Sequence, residues 1–172
     1  MRCSLGKMYG ALFSDCERYR YLLWRRWGAD SLTAKWCNFI MLNPSTADEM
    51  RNDPTVARCE KRARDWGFDG LYVTNIFAWR STNPYDLRRV DDPIGPENNT
   101  CIIETAALSK LVVCAWGNHG KLGNRSDAIR LLLAAIPTHA LKMSENTGEP
   151  YHPLYLSYSL KPISMDARAD AR

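Results

Sequence analysis

The sequence predicts an α/β domain built on a short parallel sheet with helices on both faces. Short apolar runs alternate with amphipathic segments in the order strand, helix, strand, helix, strand, helix, strand. That alternation sets parallel strands side by side under crossover helices. Polar clusters also follow three of the apolar segments: MLNPSTAD at 41–48, VTNIFAWR at 73–80 and YHPLYL at 151–156. The carboxyl ends of parallel strands share one edge, and ligands bind in the crevice there. Asn43, Asn75 and His152 are therefore expected to converge from distant points of the chain.

The chain opens on a strand or hairpin, 9–13 and 19–27, followed by a polar, turn-like stretch at 28–35. The run 37–42 is a short apolar strand that ends at Asn43-Pro44, because proline breaks the ladder. Asp53-Pro54 starts a helix, with aspartate as N-cap and proline in the first helical position. Val56, Cys59, Ala63 and Trp66 recur at helical spacing until Gly67 stops it. The second strand covers 70–77. A long loop, 78–98, carries Asn83-Pro84, Asp92-Pro93 and Gly95-Pro96. A loop of that length in a compact domain is usually functional or disordered. A helix over 97–109, a strand over 111–116, a helix over 126–136 and a strand over 140–143 complete the pattern. Residues 1–164 read as a single domain and 165–172 as a disordered, tag-like tail.

Composition narrows the class. Hydrophobic residues at 45% and charged residues at 24% are ordinary for a soluble globular protein. No window approaches the ~18 consecutive apolar residues of a membrane span, and MRCSLGKMYG lacks an apolar core of signal-peptide length. A cytoplasmic location and no membrane partner are the expectations. The cysteines at 3, 16, 37, 59, 101 and 114 show no paired spacing, and the histidines form no cluster. Neither a metal nor another cofactor is expected.

The net charge is +4, and much of the basic content is clustered: Arg18, Arg20, Arg25 and Arg26; Arg58, Lys61, Arg62 and Arg64; Arg80, Arg88 and Arg89. The first cluster interleaves with Tyr19, Tyr21, Trp24 and Trp27, a pattern that can hold phosphates and stack bases. The same alternation marks a two-faced strand with aromatics inward and arginines solvated, and that reading is favoured here. A nucleic acid or nucleotide is a permitted partner, not a required one. The oligomeric state is not legible.

Several motifs carry candidate chemistry. Asn43-Pro44-Ser45 is a strand-ending turn by composition, yet an Asn amide can also hold a water or read a nucleobase edge. Of the nearby carboxylates, Asp53 is taken up as a helix cap, which leaves Asp48 as the candidate general base. Asn75 interrupts an apolar strand; it either braces a loop or bonds a planar, amide-like ligand such as a pyrimidine. Trp116-Gly117-Asn118-His119-Gly120 sets an aromatic and a histidine at a strand end, without a phosphate-loop pattern. His152 lies in a turn-rich segment, where an imidazole can donate to a developing oxyanion or act as acid or base. No Ser/His/Asp elbow and no HExxH motif is present.

YRYLLWRRWG, MLNPSTAD, DPTVARCEKRARDWGFDGLYVTNIFAWRSTNP, DPIGPEN, AWGNHGK and HPLYL, spread over 17–160, resemble the domain-of-unknown-function family numbered 1643. The motif order more distantly resembles that of the uracil-DNA glycosylase superfamily. FIMLNPS at 39–45 is similar to that superfamily's first motif, whose loop positions the attacking water. LYVTN at 71–75, followed by Arg80, is similar to the strand whose Asn reads the uracil edge. YHPLYL is similar to the loop whose histidine supports the departing base, and 111–117 to the intervening strand that ends in glycine. Met41 departs from the pattern by standing where the superfamily has glycine, which narrows a base pocket. Trp79 stands where the iron–sulfur class has a cysteine, so no cluster is implied. No obvious wedge follows the His-Pro loop, where Leu154 and Tyr155 are the candidates.

The resemblance implies a three-layer α/β/α sandwich with a short, mainly parallel sheet, and an enzyme acting at a nucleobase or N-glycosidic bond in DNA or a nucleotide. Asn43 would place a water with Asp48 as base, Asn75 would bond the base edge and His152 would stabilise the departing base. Pro44, Ser45, Trp116, Gly117 and His119 would line the pocket, while Arg80 and the 58–64 face would meet phosphates. The alternatives are a non-catalytic nucleotide or modified-base binding module, and a small-molecule enzyme using His152 and Asp48 as an acid–base pair.

Overall fold

The structure, a computed structural model, describes residues 2–5, 8–28, 31–48 and 50–165, with the side chains of 2–5 left aside. Its strands are β1 (Arg2–Leu5), β2 (Tyr9–Phe13), β3 (Arg20–Arg26), β4 (Trp36–Met41), β5 (Gly70–Asn75), β6 (Leu111–Cys114), β7 (Thr138–Ala140) and β8 (Ile163–Ser164). Its α-helices are α1 (Pro54–Asp65), α2 (Asn98–Ala107) and α3 (Arg125–Leu132). The strands form one sheet in the order β1-β2-β3-β5-β4-β6-β7-β8.

The sheet is mixed and broad, which corrects the expectation of a short, mainly parallel one. β5, β4, β6 and β7 run parallel. The opening hairpin does not stand apart: β3 joins β5 antiparallel, with Leu23 opposite Val73, and β2 and β1 follow it antiparallel. On the other edge β8 pairs antiparallel with β7. The brief segments RCSL and IS carry too little apolar pattern to announce β1 and β8.

The central strand is buried on both faces, as its unbroken apolar run requires. Cys37, Phe39 and Met41 of β4 join Val56, Cys59 and Ala63 of α1 in one apolar cluster. Ile40 and the following Leu42 join Ile102 and Ala106 of α2 and Ile129 of α3 in a second. Odd and even residues thus face different helices, the period of an extended strand. Asp53 caps α1 by accepting a hydrogen bond from the Val56 amide at 2.8 Å, and Pro54 takes the first helical position.

Strand β3 departs from the solvated-arginine expectation: Arg20 and Arg25 are buried along with Tyr21 and Leu23. Its register with β2 pairs Leu12 with Leu22 but Phe13 with Arg20, so Tyr21 is an extra, bulged residue. A bulge shifts the side-chain alternation by one. Arg20 thereby reaches the carbonyl of Ala47, a member of the same apolar cluster as Leu23. Arg25 reaches Asn52 Oδ1 at 2.8 Å and the Asp48 carbonyl at 2.6 Å.

Strand β7 begins earlier than the apolar run suggests, because its first residues, Thr138 and His139, are polar. The long loop is built rather than loose. Ala78 and Trp79 amides bond back to Ile94 and Pro93 carbonyls, and Asn83 caps a 3-10 turn at Pro84–Arg88. Met165, read from sequence as part of the tail, packs against the second cluster, and residues 166–172 lie outside the described residues. No helix among the described residues is long and apolar enough to cross a membrane.

Candidate functional site

A cavity of about 440 Å³ opens at the carboxyl edge of β4, β5 and β6. That size suits a small-molecule ligand. Asn43, Ser45, Asn75, Trp116, Gly117, His119 and His152 all line it. Pro44, Asp48 and Arg80 are not among the lining residues.

Asn75 ends β5 and is 1% exposed. Its Oδ1 accepts a hydrogen bond from Arg20 Nη2 at 3.2 Å, which fixes the amide orientation, since a guanidinium only donates. Its Nδ2 has no partner among the described residues. Two side chains hold the backbone here: Asn98 Nδ2 donates to the carbonyls of Asn75 and Ile76, and Arg125 Nε donates to that of Ile76 at 2.7 Å.

Arg20, aimed into the cavity by the bulge, has no carboxylate partner among the described residues. Burial lowers its pKa to about 10, so it remains a cation at neutral pH. Asp53, which also lines the cavity, favours that charge. One oxygen of Asp53 caps α1, and the other has no partner among the described residues.

Asn43 directs its Nδ2 to the Ser81 carbonyl at 2.7 Å and the Pro44 carbonyl at 3.1 Å. Pro44 in turn accepts from the Ser81 amide. These bonds draw the long loop over the cavity, where Ser81, Thr82 and Pro84 form part of the wall. Asn43 Oδ1 has no partner among the described residues.

Trp116 is held from behind: its Nε1 donates to buried Glu149 at 2.6 Å, and Glu149 also accepts from Ser126 and pairs with Arg130. With its nitrogen engaged, the indole contributes an apolar wall. Gly117 adopts φ +71°, where a side chain would be strained. At Gly120 a Cβ would lie 2.2 Å from Trp116 Cδ1, so only glycine lets the turn close on the ring.

His152 stands at the start of a 3-10 turn, Pro153–Tyr155. Its Nδ1 accepts from the Leu154 amide at 3.4 Å, which leaves the neutral ring's proton on Nε2. Arg58 and Arg62 hold this segment by donating to the Leu156 carbonyl at 2.6 and 2.8 Å. Of the two wedge candidates, Tyr155 is 92% exposed and Leu154 is half-buried.

The residues outside the cavity have other work. Asp48 Oδ1 accepts from the Met50 and Arg51 amides, and the first of these bonds lowers its pKa most. Arg80 donates to the Glu17 carbonyl and lies 5.0 Å over the Phe13 ring. On the 58–64 face, Arg64 pairs with Glu60 and Lys61 with Asp65. Met41 lines the cavity, while Trp79 packs edge-on against Tyr19. Among the described residues no group of three or more His, Cys, Asp or Glu is placed to hold a metal ion.

The model of a family described as protein of unknown function (DUF1643) matches residues 20–154. The chain belongs to that family. Every residue lining the cavity, from Arg20 to His152, falls inside the DUF1643 region. No curated protein and no solved structure matches the chain.

Sequence reasoning missed Arg20 and set Asp53 aside. A bulge leaves no mark in the pattern of β3, and a capping role for Asp53 gave no reason to place its second oxygen in a cavity.

Burial lowers the His152 pKa below its usual 6.5, against the opposing pull of Asp53. As pH falls, the unfolded chain therefore takes up this proton first. The stability contributed by the neutral ring is intact above pH 6.5 and is lost as pH falls toward the lower folded value. His152→Gln should lose less stability than the wild type between about pH 7.5 and about pH 5, read from urea midpoints.

Proposed function

We propose that the cavity takes a nucleobase and that the protein hydrolyses the N-glycosidic bond to that base, in a nucleotide or in DNA. Asn75 carries the reading. Its Nδ2 offers a donor and its Oδ1 keeps one lone pair beside the bond from Arg20. A buried donor beside an acceptor complements the amide-like edge of a pyrimidine, and Trp116 supplies an apolar wall against a planar ring. The order of the Asn43, Asn75 and His152 motifs, similar to that of the uracil-DNA glycosylase superfamily, supports the same reading.

Hydrolysis breaks the bond from the sugar C1′ to the base nitrogen, and the electron pair leaves with the base. The His152 Nε2–H donates to the base oxygen on which charge develops. A water oxygen then bonds to C1′. The partnerless Asn43 Oδ1 orients that water, and Asp53, rather than Asp48, takes its proton. The released proton neutralises the departed base.

His152→Ala should abolish base release while leaving the thermal melt nearly unchanged, measured on labelled substrates beside a melting curve. A large fall in melting temperature would make His152 a structural residue. One observation favours a binding module without chemistry: Met41 lines the cavity where the resembled motif has glycine. That module would retain the ligand and release no base.

A further inference from the structure

A second cleft, of about 330 Å³, shares Pro84, Asn118 and His119 with the main cavity. Arg88 and Lys121 line it, and among the described residues no aspartate or glutamate does. Both cations are exposed, and neither has a hydrogen bond or ion pair among the described residues. The Arg88 guanidinium lies 5.9 Å from the Tyr85 ring centre. Lys121 also borders a third cleft, but the carboxylates there, Asp127 and Glu149, are paired with Arg130. A cleft with two cations unpaired among the described residues, sharing a wall with a cavity suited to a planar base, is arranged for a ligand with an anionic group joined to a base.

We infer that the second cleft is the phosphate subsite of the same ligand, and that this ligand is a free nucleoside phosphate rather than a polynucleotide. The inference rests on the nucleobase reading of the main cavity. The base enters that cavity, the sugar crosses at His119, and the phosphate meets Arg88 and Lys121. A polynucleotide needs a row of available cations along its backbone. The 58–64 row that the sequence offers is engaged: Arg58 and Arg62 with the carbonyls around Leu156, Arg64 with Glu60 and Lys61 with Asp65. Arg80 bonds Glu17, which leaves only Arg88 and Arg89 of the third cluster without such a partner among the described residues.

The test is calorimetric titration of the full chain, wild type and Arg88→Ala/Lys121→Ala, with uridine, cytidine, thymidine, adenosine and guanosine. Their monophosphates, inorganic pyrophosphate and a single-stranded decanucleotide complete the probes. At least one monophosphate is expected to bind at least about tenfold tighter than its nucleoside, the size of one charge-assisted contact. The double variant should remove that difference and leave the nucleoside affinity unchanged, which also shows that it folds.

Equal affinities for a nucleoside and its monophosphate would overturn the phosphate subsite alone and leave the base cavity standing. So would a phosphate preference that survives in the double variant, or a decanucleotide that outbinds every monophosphate. Pyrophosphate binding as tightly as every monophosphate, and lost in the double variant, would keep the anion cleft and overturn both the base reading and the nucleotide as ligand. Binding of no probe would overturn both readings.

Discussion

Asn75→Asp is expected to weaken ligand binding and base release by at least about 10²-fold while leaving the fold as stable as before. The carboxylate is nearly the same shape as the amide, and Oδ1 can still accept from Arg20 Nη2. Arg20, which has no carboxylate partner among the described residues, gains one at 3.2 Å, so folding stability should hold or rise. On the cavity side the change is severe: the Nδ2–H donor becomes a charged acceptor, and a base oxygen meets another oxygen. Binding titration and urea denaturation of one preparation separate the outcomes. Unchanged binding would remove Asn75 from the recognition of any ligand. Lost stability together with lost binding would make it a brace between Arg20 and the sheet.

Asp53→Asn should reduce base release by about 10²- to 10⁴-fold, the contribution typical of a positioned acid or base. Asparagine caps helices about as well as aspartate, so stability should change by less than about 1 kcal/mol. The pH profile should move as well. The Asp53 carboxylate raises the His152 pKa against burial, so removing the charge lowers that pKa further. Protonation of Nδ1 breaks the bond from the Leu154 amide that orients the ring, which gives the rate an acid limb at the His152 pKa, and that limb should then shift to lower pH. An unchanged rate in Asp53→Asn would limit Asp53 to its cap on α1, and an unmoved acid limb would uncouple it from His152.

Much of the architecture could be read from the residues because the signals were local. Asp53-Pro54 marks the start of α1, and the apolar run of β4 marks a strand covered on both faces. The hairpin of β2 and β3 was legible, but not its destination, since nothing local says that Leu23 will lie beside Val73. The strands β1 and β8 are four and two residues long, too short for any period to register.

The candidate site divides in the same way. Asn43 and Asn75 stood out because polar residues interrupt or end apolar strands, and strand ends share an edge. Arg20 did not, because its direction depends on one extra residue in β3 that only the pairing with β2 reveals. Arg58 and Arg62 read as part of a basic face that would meet phosphates, yet they fasten the segment that carries His152. A positive charge in sequence does not say whether its partner will be a phosphate or a carbonyl.

The most direct test of the central claim is quantification of free base. The full chain would be incubated with nucleoside monophosphates, and with single- and double-stranded oligonucleotides carrying uracil, hypoxanthine, mismatched thymine and hypermodified pyrimidines, beside Asn75→Asp. The account predicts free base from at least one substrate, matched by an equal amount of base-free sugar phosphate, and at least about 10²-fold less with Asn75→Asp. No base from any substrate, or equal release by the variant, would contradict it.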